Sequence, residues 1–369
     1  MPKSTPFIFF TCQVGAETAL KSELAREYPL WRLAFSRPGF LTFKVPPDVD
    51  LPDDVGQSLV FARTCGFCLG KVEGTTAAER AQSVWSLIGA LPVTELHVWP
   101  RDRFTPGFRD YEPGQTPQSR EIEVAIRAAG DACSPPFPAA QERPSLTPSR
   151  GKHSADEKPG PLVADVVIVE PGEWWVGYHR AGSLAATWPG GFLEVDLPAE
   201  AVSRAWLKMH EAVLWSGFRF RSGQKCVEIG SAPGGASQFL LESGLKVIGV
   251  DPAAMHPSVL ADPNFKHIRK RSKEVPRREF LGVDWLTADI NLPPNYTLDT
   301  VKSIVSHRGV KFKGLLLTLK LVEWSLADEI PKYIARLRAL GFRTVRARQL
   351  HHNRQEICVA ASGYRTKLV

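Results

Sequence analysis

The stretch Cys226-Val-Glu-Ile-Gly-Ser-Ala-Pro-Gly-Gly235 is the most informative part of the C-terminal half of this chain. Val227 and Ile229 are typical of the end of a buried strand, and residues 236–242 predict the opening of a helix. Glycines at a strand-to-helix turn let a ligand approach the backbone closely, and they leave backbone N–H groups directed at it. The sequence therefore predicts a ligand-binding turn between the strand and the helix.

The glycine spacing and a downstream acid indicate the kind of ligand. Gly230 is followed by another glycine only at Gly234, which differs from the G-x-G-x-x-G pattern of nicotinamide and flavin sites. Residues 246–251 predict a second buried strand that ends in Asp251, and an acid at that place can bind a ribose hydroxyl pair. The combination favours a nucleoside cofactor without a pyrophosphate, and S-adenosylmethionine is the commonest such ligand.

Composition places the chain among soluble globular proteins of two or three domains. It has 369 residues, of which 43% are hydrophobic and 23% charged. We see no apolar run long enough to span a bilayer and no secretory apolar region near Met1, so we expect a cytoplasmic protein that does not bind membranes. Its cysteines are then expected to be reduced; they are Cys12, Cys65, Cys68, Cys133, Cys226 and Cys358.

The charge is unevenly divided along the chain. Residues 201–369 contain 27 Lys and Arg against 14 Asp and Glu, whereas residues 1–200 contain 19 against 25. All of the excess positive charge therefore belongs to the half that carries the glycine turn. Such a surface attracts polyanions such as nucleic acid, although a merely solubilising basic surface explains the charge equally well.

The N-terminal half has a mixed pattern of strands and helices. Strands are predicted at 7–10, 39–45 and 95–99, and helical apolar spacing covers 16–28. Residues 134–161 are rich in Pro, Ser, Gly and charge, and they are predicted to form a mobile insertion or linker. The runs 162–169 and 173–178 then predict a β-hairpin around Pro171-Gly172.

The C-terminal half alternates strands with helices, which predicts an open and largely parallel sheet. Beyond the elements named above, helices are expected at about 203–216, 298–307 and 327–340, and strands at 281–288, 314–319, 344–350 and 356–361. Ligands of such sheets bind beyond the carboxyl ends of the strands. Asp251, Asp289 and Lys320 each follow a predicted strand, so a site is expected there.

Five motifs in order carry a family resemblance. They are Ser203-Arg-Ala-Trp-Leu-Lys208, the turn Gly230–Gly235, Ala288-Asp289, Leu319-Lys-Leu321 and Arg348-Gln-Leu-His-His-Asn-Arg-Gln-Glu356. In these motifs the chain resembles the FtsJ-like RNA ribose 2′-O-methyltransferases. Within that group it most resembles the bacterial enzymes that methylate a cytidine ribose in large-subunit ribosomal RNA. The resemblance covers 201–369 and extends more weakly to the N-terminal half.

The resemblance implies an α/β fold in three parts. A ferredoxin-like segment is implied for residues 1–95 and a THUMP-like domain for 96–195, which together form an N-terminal α+β region. A Rossmann-like methyltransferase domain that uses S-adenosylmethionine is implied for 201–369. RNA, large-subunit ribosomal RNA in particular, is the implied partner.

The resemblance also implies the site residues. The catalytic tetrad of the family falls on Lys208, Asp289, Lys320 and Glu356. The cofactor-binding residues fall on Gly230, Ser231, Pro233, Gly234, Gly235, Asp251 and Asp289. We expect the turn to hold the methionine end of the cofactor and Asp251 its ribose. No metal is implied; Cys65-Gly-Phe-Cys68 has metal-type spacing but no second pair, so we expect two reduced thiols.

The residue types of the tetrad suit the implied chemistry. A ribose 2′-hydroxyl is a poor nucleophile at neutral pH, and a lysine accepts its proton only when its pKa falls well below about 10.4. Lys208 and the sulfonium charge of the cofactor lower the pKa of Lys320 and so favour its neutral form. Asp289 and Glu356 orient the two amines, and their negative charges limit this lowering of the pKa. We expect Lys320 to be the base, with Lys208 and Glu356 positioning the hydroxyl.

One departure from the family pattern motivates an alternative function. Many relatives place an acid at the adenine after the second strand, but residues 268–273 (Ile-Arg-Lys-Arg-Ser-Lys) contain none, so Ser272 or a backbone group is expected to take that role. The missing acid also fits a non-catalytic RNA-binding or ribosome-assembly factor built on a decayed methyltransferase. The basic stretch 266–278 is either a phosphate contact or a solvated loop.

Overall fold

The structure, a computed structural model, describes residues 6–47, 55–131 and 160–364. The chain divides into two compact units, Met1–Glu194 and Val195–Val369. Apart from Gly160 and Pro161, the insertion predicted at 134–161 lies outside the described residues. Within the described ranges, every helix is too short or too polar to cross a membrane.

A seven-stranded sheet forms the centre of the N-terminal unit. Its strands are β1 (Phe7–Thr11), β2 (Arg32–Arg37), β3 (Phe40–Lys44), β4 (Thr64–Glu73), β5 (Glu95–Pro100), β6 (Leu162–Glu170) and β7 (Glu173–Arg180). The helices are α1 (Glu17–Glu27), α2 (Val55–Ser58), α3 (Ala77–Ile88) and α4 (Pro117–Asp131), with 3₁₀ turns at Ala185–Thr187 and Pro189–Gly191. The strand order is β2-β3-β1-β4-β7-β6-β5, and only β5 and β6 pair in parallel.

The apolar pattern of the chain accounts for most of this sheet. The predicted hairpin is confirmed as β6 and β7, because the apolar run of β6 is buried on both faces and Pro171-Gly172 reverses the chain. Strand β2 was not predicted; it lies at the sheet edge and is largely exposed, so its sequence shows no apolar alternation. Strand β4, from before the predicted domain boundary at residue 95, pairs with β7, from after it, so both sides contribute to one sheet. The division into ferredoxin-like and THUMP-like parts stays a prediction.

The C-terminal unit is an α/β sheet with helices between its strands. The strands are β8 (Lys225–Ile229), β9 (Lys246–Val250), β10 (Phe265–Ile268), β11 (Trp285–Asp289), β12 (Gly314–Lys320), β13 (Thr344–Arg348) and β14 (Glu356–Ser362). The helices are α5 (Ala205–Ser216), α6 (Gly235–Glu242), α7 (Pro257–Leu260), α8 (Pro294–Val305) and α9 (Ile330–Ala339). Further 3₁₀ turns span Ser272–Glu274, Arg277–Phe280 and Trp324–Glu329.

The strand order of this unit, β10-β9-β8-β11-β12-β14-β13, confirms the predicted Rossmann-like sheet. The first five strands in that order are parallel, while β14 runs antiparallel between β12 and β13. The carboxyl ends of the parallel strands and the beginning of β14 therefore meet at one edge. Chain order reverses between β8 and β11, which is where open α/β sheets bind their ligands.

The differences from the sequence prediction include two element boundaries and one missed strand. The strand predicted at 281–288 begins only at Trp285, because Gly282 turns the chain with a φ of +69°. Helix α8 begins at Pro294 rather than 298, since proline is well suited to the first turn of a helix. Strand β10 was missed because its basic residues hide the short apolar pattern.

Candidate active site

Three of the four predicted catalytic residues lie at the carboxyl edge of the C-terminal sheet. Asp289 is the last residue of β11 and Lys320 is the last residue of β12. Glu356 is the first residue of β14, and because that strand is antiparallel, Glu356 stands directly beside Lys320 in the register. Sheet topology thus brings together side chains that are far apart in the sequence.

Helix α5 supplies the fourth residue, Lys208. Its ammonium nitrogen lies 2.6 Å from Asp289 Oδ2 and 2.7 Å from Glu356 Oε1. The Lys320 ammonium lies 3.1 Å from Asp289 Oδ1 and contacts Glu356 Oε2. Each carboxylate therefore joins both lysines, and the four predicted residues form one closed cluster.

The cluster is largely enclosed, and it stays partly open to solvent at both lysines and at Asp289. The exposed fraction of the side chain is 18% for Lys208, 20% for Lys320 and 7% for Glu356. Burial alone would lower the pKa of Lys208, but the carboxylates of Asp289 and Glu356 outweigh it and hold that pKa well above its ordinary value. For Asp289, burial raises the pKa and the two ammonium groups outweigh it, so the net shift is downward. Lys208 and Asp289 are therefore held in their charged forms.

Two further residues, which the sequence did not reveal, hold the segment that leads into Glu356. The Glu211 carboxylate accepts hydrogen bonds from the backbone N–H groups of His351 (2.7 Å) and His352 (2.9 Å). Asn353 Nδ2 donates to Glu356 Oε1 at 3.3 Å. Glu211 follows Lys208 by three residues on α5, so one face of that helix carries both a cluster residue and this anchor. The spacing of three residues between Lys208 and Glu211 is the feature of the sequence from which the role of Glu211 could have been predicted.

The glycine turn adjoins the cluster through its backbone. Gly230 has a φ of +82°, and a Cβ atom there would lie 2.5 Å from the carbonyl oxygen of Asp289. A Cβ on Gly234, with a φ of +121°, would lie 2.8 Å from Val259, and a Cβ on Gly235 would collide with Ser203. The turn therefore requires glycine both for its backbone angles and for close approach.

The remaining residues of the predicted cofactor site surround this turn. Ser231 is buried and its hydroxyl lies 3.5 Å from the sulfur of Met255, whereas Pro233 is exposed. Asp251 follows β9, and its carboxylate accepts hydrogen bonds from the N–H groups of Ala232 (3.2 Å) and Ala253 (2.8 Å). The turn and Asp251 thus form one hydrogen-bonded unit. Each carboxylate oxygen keeps a lone pair for a further donor.

Glu228, the last residue but one of β8, is a buried acid that the sequence analysis did not single out. It is 2% exposed, and the Ser237 hydroxyl donates a hydrogen bond to it. Burial raises its pKa from 4.5 to about 8. Together with Lys208, Asp289 and Thr287 it lines an internal cavity of about 20 Å³, which is large enough for one water molecule. The floor of the site therefore contains a carboxyl group that is mostly protonated at neutral pH.

The segment after β10 holds the predicted substitute for the missing acid. Ser272 is buried, and Arg277 Nη1 donates a hydrogen bond to its carbonyl oxygen at 3.0 Å. Arg269, Lys270 and Arg271 around it are all exposed at the edge where β10 ends. The segment thus combines one buried serine with an exposed group of cations.

The N-terminal unit contains a separate cluster of His97, Asp165 and His179 on β5, β6 and β7. All three are buried, and their ligand atoms lie within 4.8 Å of one another, a spacing at which such groups could hold a metal ion. His179 Nδ1 lies 2.6 Å from Asp165 Oδ2, and its Nε2–H donates to the Ala186 carbonyl at 2.9 Å. Burial lowers the pKa of His179, but the Asp165 carboxylate outweighs that effect and raises it. The arrangement is a buried histidine–aspartate pair, in which burial also raises the pKa of the Asp165 carboxyl.

Cys65 and Cys68, the pair with metal-type spacing, both lie on β4, and neither forms a disulfide. Residues three apart on a strand point to opposite faces, so one ion would not reach both from that strand. Burial raises the pKa of Cys68 to about 11, which keeps it a thiol at neutral pH. These positions are suited to packing.

Comparison with known proteins identifies relatives of both units. A family model described as FtsJ-like methyltransferase matches residues 201–347. A protein of Laribacter hongkongensis, named ribosomal RNA large subunit methyltransferase M, is 31% identical over 196 residues, which cover 49% of this chain and 55% of that protein. A protein of the same name from Hahella chejuensis is 30% identical over 50% of this chain and 51% of its own length. In these two matches the chain spans about half the length of the relative.

One relative matches almost end to end. A protein of Xylella fastidiosa (strain M23), also named ribosomal RNA large subunit methyltransferase M, is 30% identical over 371 residues, which cover 95% of this chain and 97% of that protein. The similarity thus includes the N-terminal unit as well as the sheet that carries the cluster.

Proposed function

Because the chain belongs to the family of FtsJ-like ribosomal RNA large subunit methyltransferase M proteins, we propose that it methylates a ribose 2′-hydroxyl of large-subunit ribosomal RNA with S-adenosylmethionine. The observation that carries the proposal is the closed cluster of Lys208, Asp289, Lys320 and Glu356 beside the glycine turn. We place the reaction in the cytoplasm, where bacterial ribosomal RNA is made.

The residues around the turn fit the cofactor. At Gly230 and Gly234 the space that a Cβ would fill is already occupied by Asp289 and Val259, so glycine lets the turn pack closely against both. Helix α6 begins at Gly235, and its first N–H groups suit the carboxylate of a methionine moiety. Asp251 is oriented by the backbone of the same turn and would bind the ribose hydroxyls. The cofactor supplies an electrophilic methyl group on a positively charged sulfur.

Lys320 is the proposed general base. Both lysines contact the two carboxylates, but the raised pKa of Lys208 keeps it an ammonium, which has no lone pair to accept a proton. In this assignment neutral Lys320 Nζ would accept the proton of the 2′-hydroxyl while the hydroxyl oxygen takes the methyl group, the methyl–sulfur bond breaks and a neutral thioether is left. A sulfonium beside the cluster adds positive charge and so favours the neutral form of one lysine. General-base catalysis of this kind contributes about 10²- to 10⁴-fold in rate.

Lys208, Asp289 and Glu356 are proposed to position the reacting groups. Lys208 remains an ammonium and would donate a hydrogen bond to the ribose oxygen. Asp289 and Glu356 fix both amines, so that neither loses orientation when the substrate enters. Correct placement of the hydroxyl matters because an in-line displacement loses rate steeply with small misplacements.

The basic surface of residues 201–369 supports an RNA substrate. This part of the chain has 27 Lys and Arg against 14 Asp and Glu. The exposed cations of residues 269–271 lie at the same sheet edge as the cluster and would contact phosphates near the target nucleotide. Phosphate contacts set the register of the RNA but carry little sequence information.

Mapping of ribose methylation in ribosomal RNA tests the proposal. Cells that lack the protein should lose 2′-O-methylation at one large-subunit position, and the purified chain should restore it on RNA from those cells with S-adenosylmethionine. Unchanged methylation would contradict the proposal. Titration calorimetry with S-adenosylmethionine separates the enzyme from the non-catalytic assembly factor, because only the enzyme must bind the cofactor.

A further inference from the structure

The connection between β5 and α4 presents two aromatic rings to solvent. We call residues 103–111 the aromatic loop. Phe104 is 49% exposed and Phe108 is 47% exposed, and in the described parts of the chain no other phenylalanine is as exposed. Their centroids lie 5.6 Å apart, so they form one small apolar patch. Nothing in the proposed catalytic chemistry uses this patch.

The base of the aromatic loop is fixed to the sheet of the N-terminal unit. Arg101 Nε donates to the carbonyl oxygen of Val169 at 2.7 Å, and buried Asp102 forms an ion pair with Arg63 at 2.7 Å. On the far side of the loop, Gln115 Nε2 donates to the carbonyl oxygen of Val98 at 2.9 Å. Both ends of the loop are therefore held on strands.

The tip is also ordered by its own contacts. The N–H of Gly107 donates to the carbonyl oxygen of Tyr111 at 2.7 Å, and the Tyr111 ring packs edge-on against Phe104 with centroids 5.7 Å apart. Arg109 and Asp110 have φ values of 49° and 61°, in the left-handed region that non-glycine residues rarely adopt. Strained backbone of this kind is retained where the conformation has a use. The rings are thus presented in a defined arrangement.

The patch is too small for a protein interface and well suited to a nucleobase. A specific protein interface buries about 800 Å² on each partner. This apolar patch consists of two rings only, because the exposed charged residues Arg103, Arg109 and Asp110 border it. Arg109 lies over the Phe108 ring, 5.3 Å from its centroid, which adds a planar cation to the stack. Aromatic rings and arginine planes are the groups on which unpaired RNA bases stack.

We propose that Phe104 and Phe108 stack an unpaired base of the RNA substrate. This inference rests on the proposed function, since it assumes that RNA is the substrate. It also explains how an acidic part of the chain can bind RNA, since residues 1–200 contain 19 Lys and Arg against 25 Asp and Glu. Stacking binds a base without phosphate contacts, so an acidic region can hold RNA through such a patch.

RNA binding by the full chain tests the inference. The probe is a short fluorescent oligoribonucleotide of mixed sequence, used as a single strand and as a duplex, with anisotropy measured over a range of KCl concentrations. The double variant Phe104→Ala/Phe108→Ala should weaken single-strand binding by about 5- to 150-fold. Its dependence of affinity on salt should stay as in wild type, because no phosphate contact is lost. Duplex binding should change little.

Matched variants separate stacking from simple apolarity and from misfolding. Phe104→Tyr/Phe108→Tyr should retain single-strand affinity, whereas Phe104→Leu/Phe108→Leu should lose it. Leu30→Ala removes an apolar side chain that is 68% exposed elsewhere in the unit, and it should have no effect. Circular dichroism melting should show all variants folded.

Three results would overturn the inference. They are equal single-strand affinity of wild type and the alanine variant, full affinity of the leucine variant, and self-association of wild type that the alanine variant abolishes. The last would assign the patch to a protein contact. A wild-type chain that binds neither probe would contradict the RNA substrate itself, and so would reject the proposed function separately from the loop.

Discussion

The Lys208 ammonium donates a hydrogen bond to Asp289 Oδ2 at 2.6 Å, although 81 residues separate the two in the sequence. Asp289 also contacts Lys320, so its carboxylate lies between two cations. Both lysines depend on this one side chain and on Glu356 for their charge balance.

Asp289→Asn should therefore abolish methyl transfer and destabilise the chain. Loss of a buried ion-pair partner costs about 3–5 kcal/mol, and partial exposure of Asp289 reduces this to roughly 1–3 kcal/mol. Urea unfolding at neutral pH measures the loss.

The stabilisation by Asp289 should also depend on pH. Since the pKa of Asp289 is lowered in the folded chain, the stabilisation is present above about pH 3.8 and disappears as the pH falls through that lowered pKa. Asp299→Asn, at an exposed pair with Arg336, is the control and should change little. Equal unfolding curves for wild type and Asp289→Asn would contradict this account.

Gly230→Ala tests the contact between the glycine turn and Asp289. Alanine at 230 must adopt a φ of +82° and place its Cβ 2.5 Å from the Asp289 carbonyl oxygen. Gly223 has nearly the same φ, +81°, but no atom lies within 4 Å of a Cβ there, so Gly223→Ala isolates the cost of the backbone angle, about 1–2 kcal/mol. Gly230→Ala should lose more stability than this control, and it alone should weaken S-adenosylmethionine binding in calorimetry. Equal losses would show that the close approach is unimportant.

Glu228→Gln tests the protonation of the buried acid. The folded chain holds this proton up to about pH 8, while the unfolded chain releases it near 4.5. Stability of the wild type should therefore fall as pH rises through that window, by up to roughly 5 kcal/mol. Glutamine cannot ionise, so the difference in unfolding free energy between variant and wild type should grow from pH 5 to pH 9. Parallel pH profiles would mean that Glu228 ionises normally.

Glu211→Gln tests the anchor of the turn before Glu356. Glu211 now accepts hydrogen bonds from two backbone N–H groups. The NH2 group of a glutamine would place a donor against one of these N–H groups, so that hydrogen bond would be lost. A misplaced Glu356 should slow methyl transfer by about 10- to 100-fold, with S-adenosylmethionine affinity unchanged. Glu329→Gln, whose carboxylate pairs with exposed Lys332, is the control. A Glu211→Gln enzyme of normal rate would reject the positioning role.

Much of the C-terminal fold could be predicted because local pattern and topology agree there. Apolar strands alternate with helices, and polar residues at strand ends must meet at one edge of a parallel sheet, which is how Asp289 and Lys320 come together. Short or exposed elements such as β2 and β10 could not be predicted, because their sequences lack the apolar alternation that a buried face imposes.

The supporting residues of the site were harder to predict than the charged cluster. Glu211 and Asn353 act through backbone and side-chain contacts that only the folded turn creates. Glu228 lies inside a strand, where the sequence gives no sign that its carboxyl is buried and protonated. The aromatic loop was missed for a similar reason, since exposure of Phe104 and Phe108 is a property of the fold rather than of their residue type.

The central claim is that Lys320 accepts the proton of the ribose hydroxyl, and Lys320→Ala tests it most directly. Methyl transfer to RNA and calorimetric binding of S-adenosylmethionine should be measured on the same preparation, with Lys332→Ala, which removes a surface lysine that is 72% exposed, as the control. We predict that Lys320→Ala loses methyl transfer by at least about 100-fold while its cofactor affinity stays near wild type. A Lys320→Ala enzyme with normal transfer would contradict the account.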